Sequence, residues 1–190
     1  MSTGKVATVD KSTKAESTTK KEPMPESTTK KGPKPILLRT LPSGEKILHT
    51  ECKKVEKITP GIRTFAAFLE KYLLDRTNDS YRPIAIAAPQ FGKSIRMFAC
   101  EYESKGSVIT LINPELVYEK KSRLIKESCL SIPNKVFQVK RGKVVKIRGM
   151  GLDGAIHTYK GRDVTAQMFL HELNHLDGIT IDMIGELLVR

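Results

Sequence analysis

Bulky apolar side chains are nearly absent from the first 35 residues and then recur in two different rhythms. After Thr59-Pro60, a capping residue followed by proline at the first helical position, Ile62, Phe65, Ala66, Leu69, Tyr72 and Leu73 follow helical spacing. The pattern predicts a helix from Pro60 to near Asp75, ended by the polar run Thr77-Asn78-Asp79-Ser80. Segments 95–101, 107–112, 115–119, 136–148 and 155–160 are short, often β-branched and bounded by Gly, Pro or Asp-Gly, and they read as strands. Asp153-Gly154 is the best hairpin turn. A second helix is predicted to start on Asp163 as N-cap, run through His175 and stop at Gly178. Strands flanked by two helices without βαβ alternation point to an α+β fold.

Residues 1–35 form a low-complexity stretch in which Glu-Ser-Thr-Thr-Lys-Lys occurs at 16–21 and again at 26–31. Its Pro, Ser, Thr and Lys content buries too little apolar surface to offset the entropy of ordering, so a disordered basic tail is expected. A mitochondrial or plastid transit peptide is the sharper alternative, but there is no Arg before Arg39, and Asp10, Glu16, Glu22 and Glu26 interrupt it. Residues 36–190 are long enough for one core that buries roughly 70% of the unfolded surface.

The chain carries 33 Lys and Arg against 21 Asp and Glu, a net charge of +12. That excess favours polyanionic surroundings such as ribosomal RNA, although a basic solvated surface accounts for it equally well. The tail holds eight lysines and four acids, so the surplus is shared with the folded part. No apolar run approaches the roughly 20 residues that cross a bilayer, and no membrane association is expected. Three cysteines, Cys52, Cys100 and Cys129, argue against a disulfide framework and for a reducing compartment.

The strongest chemical signal is His171-Glu172-Leu173-Asn174-His175. Residues four apart share a helix face, so both imidazoles can meet one metal ion while Glu172 handles protons. By itself the pattern divides evenly between a metal site and a chance pair of histidines. Two imidazoles also leave a catalytic site short of a third protein ligand. In metzincin proteases that ligand would fall at Ile181, which cannot coordinate; Asp182 and Glu186 remain formal candidates. Upstream, Cys129 within Glu127-Ser128-Cys129-Leu130-Ser131 offers a soft thiolate, against the plain reading of a buried structural thiol. A small-residue run, Ile84-Ala85-Ile86-Ala87-Ala88-Pro89-Gln90, suits close approach of backbone to a ligand.

Taken in order, Pro83 to Gln90, Glu127 to Ser131 and Leu170 to His175 resemble the three signature motifs of the peptide deformylase family, approximately GxGxAAxQ, EGCLS and QHExDH. The likeness runs from about Ile36 to Asp182 and takes in Asn113-Pro114-Glu115 and the Val139–Ile147 segment with Arg141. It implies short antiparallel strands wrapped around a central C-terminal HExxH helix, with another helix near the start of the domain. It further implies one divalent ion on Cys129, His171 and His175, usually Fe2+ and replaceable by Zn2+, Ni2+ or Co2+. Glu172 would be the general base, and Gln90 and the backbone N–H of Leu130 the oxyanion donors. Ile84, Ala85 and Glu127 would border the substrate backbone, and Val164 and Gln167 the pocket for a methionine side chain. The implied reaction is removal of the formyl group from N-formylmethionyl nascent peptides, with formate released, by a cytoplasmic monomer; the Lys-rich composition of residues 1–35, and not the resemblance, points to an electrostatic tether to the ribosome.

This sequence departs from the family pattern at several places. Pro83 and Ala85 stand where two glycines are usual, Ser128 precedes the cysteine in place of glycine, Leu170 replaces a glutamine and Asn174 an aspartate. Ser128 must then avoid positive φ or carry strain. Gln167 is polar where the family is apolar; an unpaired buried amide would cost about 1–3 kcal/mol, and an amide pointing away nothing. A small HExxH metallopeptidase and a non-catalytic ribosome- or RNA-binding descendant are the competing functions. His49 and His157 read as ordinary surface or strand residues, and Cys52 and Cys100 as packing.

Overall fold

The computed structural model describes residues 37–76 and 82–189, so the expectations for the tail and for Thr77 to Ser80 lie outside the described residues. Elements follow in the order α1 (Glu45–Leu48), α2 (Pro60–Asp75), β1 (Ala85–Ala87), a 3-10 turn (Ala88–Phe91), β2 (Met97–Glu101), β3 (Val108–Cys129), β4 (Ile132–Met150), β5 (Ile156–Arg162), α3 (Val164–Leu176), α4 (Ile181–Ile184) and β6 (Glu186–Val189). The fold is α+β, with antiparallel strands in the order β1-β2-β3-β4-β5 and β6 added to β4.

Helix α2 forms where its periodicity places it. The Thr59 hydroxyl accepts the Ile62 N–H at 3.3 Å and Pro60 opens the first turn. Phe65, Ala66, Leu69 and Leu73 turn inward onto Ile86, Phe91, Met97 and Ile112, while Phe68 and Tyr72 meet the Phe91 ring edge-on at 5.0 and 4.8 Å.

The strands depart from expectation in length. Segments 107–112 and 115–119 fuse into one strand, β3, of 22 residues that continues to Cys129, and β4 pairs with it over 19 residues. The polar run Tyr118 to Arg123 has no alternation to betray a strand; cross-strand partners such as Lys120↔Val144 and Ser122↔Gly142 hold it extended. Irregular register at Ile112/Glu115 and Leu116/Tyr118 bends β3. At the first of these Asn113 takes φ 50°, and its carboxamide bonds the Val55 N–H and C=O at 2.8 and 2.9 Å. The turn at Asp153-Gly154 joins β4 to β5, with Gly154 at φ 84° and Asp153 Oδ1 accepting the Ala155 N–H at 3.0 Å.

Helix α3 carries the histidines against a core of Phe98, Leu111, Val145 and Ile147, into which Phe169, Leu173 and Leu176 project. Cys52 and Cys100 pack in that same core. Asp163 sits at the N-cap position as expected but does not cap: its backbone is at φ 50°, ψ −111°, and its carboxylate faces Arg123 at 3.2 Å and Lys143 at 3.9 Å. Two glycines let backbone close on this helix. A Cβ on Gly161 would lie 2.9 Å from Ala166 N, and one on Gly178, already at φ 72°, would lie 2.8 Å from the Thr50 carbonyl carbon.

Candidate metal centre

The centre lies where the β3–β4 turn meets α3. Cys129 ends β3, pairing with Ile132 at the start of β4, and points its thiol at the helix. His171 and His175, one turn apart on α3, present rings 4.9 Å apart between centroids. Cys129 Sγ lies 3.3 Å from His175 Nε2, and one donor atom from each of the three residues falls within 4.8 Å of the others. No other group of three such side chains gathers among the described residues. Asp182 instead approaches the Thr180 hydroxyl at 2.5 Å, and Ile181 is buried.

A chain of charge-assisted bonds holds the first histidine. Glu127, 3% exposed, takes Arg141 Nε and Nη2 at 2.8 and 2.9 Å and accepts from His171 Nδ1 at 3.1 Å. A carboxylate only accepts, so Nδ1 carries the proton and Nε2 is left for an ion. Arg141 also donates to the Asn174 carboxamide oxygen, so asparagine still supplies an acceptor where the family pattern has aspartate. The Glu127 carboxyl is opposed by burial, but hydrogen bonds from His171 and Arg141 hold it below its usual range. Burial likewise resists ionisation of Cys129, yet the charge of His175 and hydrogen bonds from both imidazoles bring the thiol well below its ordinary value.

These residues fit a divalent ion. One thiolate and two imidazoles suit first-row metals of borderline softness. Bonds of ~2.0–2.3 Å in a tetrahedral site separate the donors by roughly 3.5 Å, close to the 3.3 Å between Cys129 Sγ and His175 Nε2.

The centre opens onto a cleft of about 520 Å³ bounded by Ile84 and Ala85 at the β1 edge, Glu127 to Leu130 on the β3 side, and Val164, Gln167, Met168, His171 and Glu172 on α3. Every site residue that the family resemblance implies either lines this cleft or, like His175, belongs to the donor group, whereas Asp182 and Glu186 do neither. Gln90 is 2% exposed; its Oε1 accepts the Ala87 N–H at 2.9 Å, and its Nε2 points to Ser131 Oγ at 3.1 Å and Cys129 Sγ at 3.9 Å. Glu172 is 3% exposed, with Oε2 lacking a hydrogen-bond partner. Burial pushes its carboxyl up to about 7 against the pull of the two imidazoles.

The departures from the family pattern find physical settings. Ser128 sits in β3 without positive φ, so no strain attends the loss of glycine. Gln167 Nε2 donates to the Lys126 carbonyl at 3.1 Å, so its amide N–H is paired at the cleft wall. Leu170 is buried in the core against α3's neighbours. Sequence reasoning gave no role to Ser131, fully buried beside Gln90, and none to Arg141 beyond the resemblance. Arg141 did leave a signal: it shares the inward parity of Val139, Val145 and Ile147, and a cation there requires a buried partner.

A sequence model of the family described as polypeptide deformylase matches residues 38–187. The peptide deformylase of Dictyoglomus thermophilum is 35% identical over 138 residues, covering 73% of this chain and 86% of that protein. That of Desulforudis audaxviator is 38% identical over 136 residues, 71% of this chain and 84% of the other. Among solved structures, a peptide deformylase from Legionella pneumophila superposes with a TM-score of 0.69 at 26% identity, over 77% of this chain and 84% of that one. With a match across nearly the whole described domain and a Cys-His-His donor group at its centre, the chain belongs to the peptide deformylase family.

Proposed function

We propose that the cleft removes the formyl group from the N-formylmethionine of newly made polypeptides, with Cys129, His171 and His175 holding one divalent ion. The convergence of the Cys129 thiol with the two α3 imidazoles, beside a buried carboxyl, carries this reading. The ion supplies Lewis acidity, lowering the pKa of water and polarising a carbonyl. Fe2+ is the assigned metal, and the same donors accept Zn2+, Ni2+ or Co2+.

Glu172 accepts a proton from the attacking water and returns it to the departing amine nitrogen. Charge developing on the formyl oxygen is met by the Gln90 Nε2–H and the Leu130 backbone N–H. Glu127 holds the His171 ring in one tautomer. An extended peptide adds beside Ile84 and Ala85, and Val164 and Gln167 border the pocket for its first side chain. Formate and a free N-terminus are the products. The HExxH helix forms the back wall of the site, the enzyme acts as a cytoplasmic monomer, and the Lys-rich residues 1–35 tether it to the ribosome. None of the described helices is long and apolar enough to cross a membrane.

The test is formate release from formyl-Met-Ala-Ser by protein loaded anaerobically with Fe2+. Formate production that disappears together with bound metal in Cys129→Ala supports the reading. Cleavage of the Met–Ala bond without formate, with metal retained in Cys129→Ala, would replace it with a peptidase.

A further inference from the structure

The faces of the β3–β4–β5 sheet differ sharply. Val145 and Ile147 are fully buried on the side that meets α3, so the alternate positions Val144, Lys146 and Arg148 point the other way. Cross-strand register extends that outer face into rungs: Lys120–Val144–Arg162, Tyr118–Lys146–Lys160 and Glu115–Arg148–Thr158. Arg148 is paired with Glu115 at 3.0 Å. Lys120, Lys146, Lys160 and Arg162 have no ion pair among the described residues. Lys146 and Lys160 stand directly opposite each other, a like-charge pairing that opposes sheet formation. Lys120 Nζ lies 5.2 Å from the centre of the Tyr118 ring, which places an aromatic surface among the cations.

We propose that this outer face is a docking surface for the phosphate backbone of double-stranded RNA. Strands roughly 4.8 Å apart, with same-face residues about 6.7 Å apart along each strand, give a grid of cations that can neutralise several phosphates at once. A broad sheet cannot enter the roughly 8.5 Å deep major groove of DNA, whereas the wide, shallow minor groove of A-form RNA offers phosphates and 2′-hydroxyls to such a face. An anionic membrane is the poorer fit: Leu124 and Ile156, exposed on β3 and β5, pair with opposite ends of β4 and form no joint apolar anchor. The surface lies on the side of the sheet away from α3, so bound RNA leaves the cleft open.

The experiment measures anisotropy of a labelled 20-base-pair RNA duplex across a salt series, with the full chain and its K120Q/K146Q/K160Q/R162Q variant. The variant should bind about 10³-fold more weakly at 0.1 M salt, with the log–log salt slope shallower by about 3. The double variant K120Q/R162Q should show about half that change in slope, which keeps the reading available should the quadruple variant fold poorly. Formate release from a soluble formyl tripeptide should match the parent, and the thermal midpoint should not fall, since K146Q/K160Q removes a directly opposed like-charge pair. Unchanged affinity and slope in both variants would overturn the proposal. So would equal affinity for a DNA duplex of the same length, or binding to vesicles with anionic lipid that RNA fails to compete away.

Discussion

Glu127 Oε2 and His171 Nδ1 meet at 3.1 Å, and the same carboxylate is gripped by Arg141 through two nitrogens. A residue at the end of the longest strand thereby fixes the ring orientation of a ligand on α3. Two stretches 44 residues apart are locked together by a buried charge that leaves His171 Nε2 directed at the donor group.

Arg141→Leu removes the cation from this buried network and strands the Glu127 charge. Removing one partner of a buried pair costs about 3–5 kcal/mol, and loss of such outer support weakens metal affinity about 10–100-fold. Urea unfolding together with competitive metal titration should show both effects. Arg141→Lys should recover only part, because an ammonium cannot reproduce the two-nitrogen grip.

Gln90→Ala should lower kcat for formate release about 10²–10³-fold while metal content stays that of the parent. The substitution also frees Ser131 Oγ and the Ala87 N–H from their partner, so a stability loss of about 1–3 kcal/mol should accompany it. A parallel loss of metal would show that Gln90 supports the donor group rather than the reacting oxygen.

Gly178→Ala confronts both a φ of 72° and a backbone atom 2.8 Å from the new Cβ. A left-handed conformation costs an alanine about 1–2 kcal/mol, and overpacking adds about 1–3. The urea midpoint should fall accordingly. Metal affinity should fall with it, since Gly178 ends the helix that carries both histidines.

Glu101 supplies a pH signature outside the metal centre. Burial raises its carboxyl, but hydrogen bonds from Arg82 and the Gly106 N–H outweigh this and leave it below its ordinary value. A depressed folded-state value means that its stabilisation is complete above the unfolded glutamate range, about 4.3, and fades as pH falls through the folded value. Urea midpoints of the parent and Glu101→Gln should differ at pH 6 and converge as the solution is acidified toward pH 3. A constant gap would contradict the assignment.

Local patterning in the chain was sufficient for α2, whose cap, first-turn proline and apolar stripe act within a few residues, and for the loop that turns at Asp153-Gly154. It also named the donor residues, because the pairing of two imidazoles is set by the helical repeat alone and Cys129 lies in a recognisable motif. Tertiary structure decided what depends on distant partners. The long middle of β3 is polar and is extended by β4 rather than by its own pattern, so the sequence marks only two short strands ending at residue 119 and none over 120–129. Asp163 looked like a helix cap, but Arg123 and Lys143 claimed its carboxylate. Glu127 lines the cleft, where the resemblance puts a substrate-bordering residue, but only the fold reveals that Arg141 and His171 share its oxygens. The backbone states its short-range preferences residue by residue, but a buried charge or an exposed strand is settled only when chain far away in sequence supplies the other half of the bond.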